Sequence, residues 1–170
     1  QAKTLFPYTT LFRSSRQKYI AENFFQWSFG KADDFRPEKK VFLGLSDPAE
    51  LHFLAHIYNW DDGSLVLEWI LDSPLCSRST ANLLFWRSAP DWYLKFDIDD
   101  LDSCPKYNQD GFRVIQKVVS KYLKNEFSDY QIAFDPENEI EEITSTKPKW
   151  EVPRGVFDKI DGATVMLEDL

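Results

Sequence analysis

The chain has 170 residues, with 28 acidic against 20 basic side chains and a formal net charge of −8. That length fits one domain, and the acidic balance excludes nonspecific nucleic-acid binding, which needs a basic footprint to neutralise phosphates. Aromatic residues make up 16% of the chain, against only six Gly and nine Pro, so it has the material for a packed core and does not read as disordered.

No apolar run approaches the roughly 20 residues that span a bilayer. The strongest candidate, Leu65 to Leu71, is interrupted by Glu68. A basic region followed by an apolar core, the mark of a signal peptide, is missing from the start of the sequence. Two cysteines, Cys76 and Cys104, are too few to staple a secreted scaffold and are expected to be unpaired. The expectation is a soluble, cytoplasmic protein that engages no membrane and no nucleic acid.

Thr4 to Ser14 read Thr-Leu-Phe-Pro-Tyr-Thr-Thr-Leu-Phe-Arg-Ser. This string is the in-frame translation of a common short-read sequencing adapter. Residues 1–14 are therefore read as a non-native segment fused to an open reading frame of microbial origin, assembled from environmental DNA, and residues 15–170 as one globular domain. Such segments are set aside in reasoning about the fold. Leaving this one out removes Lys3 and Arg13 and no acid, so the remainder is still more negative.

From Ser15 the pattern is helical: Ile20, Phe24 and Trp27 share a face, and Gly30 stands where a C-cap would sit. Residues 31–40 read as a charged connector around Pro37. Asp47-Pro48-Ala49-Glu50 is a helix start, with a capping Asp, Pro at the first helical position and an acid where a capping box needs one. Leu51, Leu54, Ala55 and Tyr58 then line one face, and the helix is expected to end near Asn59.

Asp61-Asp62-Gly63-Ser64 is a second start signal, with one Asp expected to cap a helix carrying Leu67, Ile70 and Leu71. Asp72-Ser73-Pro74 stops it. Ser79-Thr80 opens a third helix with Ala81, Leu84 and Phe85, and Pro90-Asp91 restarts the chain for Trp92, Tyr93 and Leu94. Residues 97–110 are acidic and turn-rich. The longest helix is predicted from Gly111 to Glu126, with Phe112, Ile115, Val119 and Tyr122 buried and Arg113, Lys117, Lys121 and Lys124 solvated. Tyr130–Phe134 and Thr164–Leu167 are strand candidates, and residues 135–149 read as a loop or a single helical turn.

Motifs with chemical potential fare poorly. His52 and His56 sit four apart on one helix, a spacing that can hold zinc, but Phe53 stands where a zinc protease carries its Glu. Two helix-surface histidines are the simpler reading, and no metal or cofactor is expected. Asp97, Asp99, Asp100 and Asp102 fail as a calcium loop, because Asp102 stands in place of the central Gly and Asn108 in place of the closing Glu; a solvated acidic loop is expected instead. Cys76 lies near Arg78 before a helix start, but a buried structural cysteine is the plainer reading. No catalytic residue is assigned.

Asn59-Trp60-Asp61-Asp62-Gly63, then Cys76, Thr80-Ala81 and Phe85-Trp86, form a pattern that resembles the DUF4274 family of bacterial domains of unknown function. The resemblance covers about residues 46–96, with an echo at Trp150-Glu151-Val152-Pro153. Ser77 and Ser79 stand where the family turn carries Asp and Gly. The resemblance implies a small stand-alone bacterial protein and no particular activity.

The combined expectation is a mainly α fold, a compact bundle of short helices, with the strand candidates leaving room for a small two-stranded C-terminal element. By analogy with small bacterial proteins of this kind, the preferred function is protein–protein interaction, with Trp60, Asp61 and Asp62 contacting a basic protein, as an immunity-type protein would. One rival is an enzyme using Asp61 or Asp62 with His56 as acid and base. The other is a turn that only joins two helices.

Overall fold

A computed structural model describes residues 14–24, 36–140 and 142–165. Among them seven α-helices follow one another: α1 (Ser14–Phe24), α2 (Lys39–Phe42), α3 (Pro48–Ile57), α4 (Leu65–Asp72), α5 (Arg78–Arg87), α6 (Pro90–Tyr93) and α7 (Gln109–Leu123). The fold is mainly helical, as the periodicity indicates. No described helix is long and apolar enough to cross a membrane.

The start of α3 follows its sequence signal closely. Asp47 Oδ1 accepts from the Ala49 N–H at 2.8 Å, and Glu50 Oε2 accepts from the N–H groups of Ser46 and Asp47. The capping box thus satisfies backbone donors that the helix cannot satisfy itself. Glu50 also takes the Arg16 guanidinium, which ties α1 to α3. Ile20 and Phe24 of α1 are fully buried beside this contact. The expected continuation through Trp27 to a Gly30 cap lies outside the described residues, as does the adapter-like stretch before Ser14. Within the supposed connector, Lys39–Phe42 forms a short helix whose Phe42 is buried against Trp69.

Helix α5 is the hub. Every residue from Ser79 to Trp86 is buried, polar ones included, and each buried polar group has a partner. The Ser79 hydroxyl donates to the Ile132 carbonyl, the Asn82 amide to the Gly155 carbonyl at 3.0 Å, and the Trp86 indole N–H to the Val156 carbonyl at 2.8 Å. These bonds recruit the C-terminal segments 132–134 and 154–157 onto the helical core. The helix begins at Arg78, earlier than Ser79-Thr80 suggests, because Ser77 is the cap: its hydroxyl accepts from the Thr80 N–H.

Helix α7 buries Phe112, Val114, Ile115, Val118 and Val119. Two lysines expected to be solvated are instead half-buried ties to α4. Lys117 reaches Asp72 at 2.8 Å and Glu68 at 3.7 Å, and Lys121 donates to the Leu71 carbonyl. The strand candidates form no ladder among the described residues. Isolated bridges join Ile132 to Ala163 and Phe134 to Ile160. Gln131 has φ of 59°, a left-handed conformation that breaks an extended run. Met166 and Leu167 of the second candidate lie outside the described residues.

Candidate functional site

The turn after α3 is built by Asn59, whose side chain accepts from the Asp61 N–H at 3.2 Å and caps the short 3₁₀ turn Trp60–Asp62. Gly63 closes it at φ 82°, a backbone region that glycine adopts without strain. A Cβ there would stand 3.4 Å from Asp110 Oδ2, so the glycine also admits close approach of α7. Neither Asp61 nor Asp62 caps α4, contrary to the sequence expectation. Ser64 holds that position, and its hydroxyl is turned to side chains instead of the helix amides.

The Ser64 hydroxyl meets Glu68 Oε1 at 2.8 Å and Asp110 Oδ1 at 3.0 Å. One proton is thereby shared between two carboxylates. The Tyr58 hydroxyl donates to the Asp62 carbonyl at 3.4 Å, and burial, then Asp62 and Asp110, push its pKa upward. Burial, then Asp61, raises the Asp62 carboxyl. Asp61 is exposed. Trp60 is partly buried against the core. Its Nε1, Asp62 Oδ2 and Asn108 Oδ1 are shielded from solvent and make no hydrogen bond among the described residues.

The acidic loop 97–102 joins the same end of α7. Its aspartates shape turns: Asp97 Oδ1 accepts from the Asp99 N–H, and Asp100 Oδ1 from the Asp102 N–H. Gln109 Nε2 donates to the carbonyls of Leu101 and Cys104, each at 3.2 Å, and lies 3.4 Å from Asp102 Oδ1. Two acidic stretches far apart in sequence therefore meet at Gln109 and Asp110. Among the described residues, none of Asp61, Asp62, Asp97, Asp99, Asp100, Asp102 or Asp110 forms an ion pair. Two apolar side chains stand out into solvent beside them, Tyr107 at 85% exposure and Leu65 at 52%. Sequence reasoning missed Asp110, Tyr107 and Leu65, which nothing in the local pattern links to the Trp60 turn.

The histidines are elsewhere: His52 is buried and His56 is half-buried. His52 is 4% exposed and its Nδ1 meets Thr80 Oγ1 at 3.0 Å. His56 Nδ1 faces Arg87 Nη2 at 3.0 Å, while Arg87 also donates to the His56 carbonyl and pairs with Glu139. Burial, then neighbouring positive or imidazole groups, depresses His52 to about 3 and His56 to about 4. Asp61 and Asp62 are not among the residues lining the cavity at His52 and His56, which gives the acid–base pairing weighed from the sequence no geometric support. No group of three or more His, Cys, Asp and Glu side chains is arranged to hold a metal among the described residues. Cys76 and Cys104 are free and buried, and burial pushes the Cys76 thiol up to about 12.

Residues 46–123 match the family model described as Domain of unknown function (DUF4274). Over this segment the chain is similar to that family. The DUF4274 segment runs from the Ser46 turn to the end of α7 and so contains the whole acidic convergence, beyond the 46–96 stretch that carries the sequence motif. No curated protein and no solved structure matches the chain.

Proposed function

We propose that the domain is a protein–protein interaction module whose contact face is the acidic end of α7, read by a basic protein partner in the manner of an immunity-type protein. The observation that carries this reading is that two acidic stretches join at the start of α7, where Gln109 reaches Asp102 and Asp110 meets Ser64 beside the Asp61–Asp62 turn, and that none of these four aspartates forms an ion pair among the described residues. A face of one sign attracts its opposite and disfavours competing partners. Tyr107 and Leu65 add the apolar contact that charge alone does not supply, and an exposed aromatic next to charges suits an interface centre. Trp60 packs partly buried against the core at this turn, and Asp61 beside it is exposed.

The test is calorimetric binding to the protein encoded beside this gene, which the reading requires to be basic, using the wild-type chain, Trp60→Ala, Tyr107→Ala and Asp61→Asn/Asp62→Asn. Each variant is first shown to be folded by circular dichroism. Weakened binding in all three variants supports the face. Undiminished binding of the folded Asn variant removes it.

A further inference from the structure

His52, His56, Leu83, Phe134, Glu139 and Val165 are among the residues that line an open cavity of about 310 Å³. That volume lies in the range of small-molecule sites. Its chemistry follows from the hydrogen bonds behind the two rings. A guanidinium only donates, so His56 Nδ1 must accept from Arg87 and the His56 proton must sit on Nε2.

A second chain of bonds fixes His52. The buried Ser77 hydroxyl accepts from the Thr80 N–H at 3.0 Å and lies 2.8 Å from Thr80 Oγ1. If His52 Nδ1 donated to Thr80, the Thr80 proton would pass to Ser77, and the Ser77 proton would have no acceptor among the described residues. In the opposite direction every proton is used: Ser77 donates to Thr80, and Thr80 donates to His52 Nδ1 at 3.0 Å. A buried unsatisfied hydroxyl is costly, so the second direction prevails. His52 then also carries its proton on Nε2. The rings stand edge to face with centroids 5.0 Å apart. Neither Nε2 has a partner among the described residues.

The rest of the lining is apolar, uncharged and polar (Asn138, Thr164), or acidic and paired. Glu139 is paired with Arg87 and Asp135 with Lys159 at 2.9 Å, so the wall holds no free charge of either sign from these acids. Leu83, Ala133, Phe134 and Val165 supply the apolar surface. Arg87 beside His56 also works against a bound metal cation.

We propose that this cavity binds a small uncharged ligand with an apolar body, whose carbonyl or amide oxygen accepts from the Nε2–H groups of His52 and His56. The site is distinct from the acidic face and does not rest on the reading given to that face.

The test is nitrogen-15 NMR of the histidine rings in the full chain, titrated with benzamide, benzoate, benzylammonium and toluene as probes. Both rings are expected as Nε2–H tautomers. Benzamide at millimolar concentration is expected to shift both Nε2 signals saturably, and more tightly than benzoate. Toluene and benzylammonium are expected to leave them in place. Val165→Trp, which fills the cavity from its rim, should abolish the benzamide shift, and His56→Phe should weaken benzamide binding at least several-fold. An Nδ1–H tautomer at either ring, no shift with benzamide, an equal shift with toluene, or tighter binding of benzoate or benzylammonium would overturn the proposal. The wild-type titration decides the matter even if a variant does not fold.

Discussion

Ser64 and Asp110 are 46 positions apart in the sequence, and the Ser64 hydroxyl meets Asp110 Oδ1 at 3.0 Å while also reaching Glu68. This contact closes the start of α4 onto the start of α7 and brings the Trp60 turn beside the 97–110 loop. It joins two acidic carboxylates through one donor, where like charges would otherwise repel. Of the two, only Glu68 has a cation, Lys117, to offset its charge among the described residues.

Ser64→Ala should therefore cost about 1–3 kcal/mol, because two carboxylates lose their shared donor in a half-buried setting. Asp110→Asn should be neutral or stabilising, since it removes a charge and keeps a hydrogen-bonding group. Urea denaturation of the two variants checks this. Equal losses in both would mean that repulsion plays no part.

Asp47→Ala should destabilise the chain by about 0.5–2 kcal/mol through loss of the capping box. Asp61→Ala should change stability little, because Asp61 is exposed and caps no helix. If the order were reversed, the assignment of caps in this structure would be wrong.

The histidines give the protein a pH dependence of definite sign. Their folded-state values, about 3 and about 4, lie below the ordinary value of 6.5. The unfolded chain thus binds more protons than the folded one between these limits. Stability contributed by the neutral rings is complete above about pH 6.5 and is lost as pH falls through the folded-state values. The urea midpoint should fall on acidification through this window. His56→Gln should flatten the slope over that range, whereas an unchanged slope would show that His56 is protonated freely in the fold.

Both thiols should be free and slow to react. Thiol titration of the native chain is expected to be sluggish at Cys76, which is buried with its pKa pushed up to about 12, and unfolding should release two rapidly titrating groups. A quantitative disulfide in the denatured, unreduced chain would contradict this.

We propose further that residues 1–14 contribute nothing to the fold. A chain beginning at Ser15 keeps Arg16, Ile20 and Phe24, which dock α1 on the core, and should melt within a few degrees of the full chain. A large loss of stability would show that the adapter-like segment has been taken into the structure.

Local signals were the legible part. The α3 capping box, the Asp72-Ser73-Pro74 stop and the buried stripe of α7 could be read from spacing, since caps and amphipathic faces depend on neighbours within a few residues. What depends on distant pairing could not. Asp61 and Asp62 looked like caps because a start signal does not reveal that Ser64 will turn toward Asp110. His52 and His56 looked like surface residues because their cover comes from Thr80, Arg87 and Glu139 on other segments. The strand candidates had the right residue types, but the left-handed Gln131 leaves only isolated bridges. Of the site, Trp60, Asp61 and Asp62 were visible as a family-like turn, while Asp110, Tyr107 and Leu65 join them only through the fold.

The acidic face is tested most directly by the association rate with the protein encoded beside this gene, which the account requires to be basic, measured by stopped flow at low and at physiological salt. Exposed charges are screened beyond about 8 Å at physiological ionic strength, so a steered encounter slows as salt rises. The expected result is a steep fall for the wild-type chain, and for Asp61→Asn/Asp62→Asn/Asp110→Asn a rate at low salt lower by on the order of 10-fold with a flattened salt dependence. An association rate indifferent both to salt and to these substitutions, in variants shown to be folded, would contradict the acidic end of α7 as the contact face.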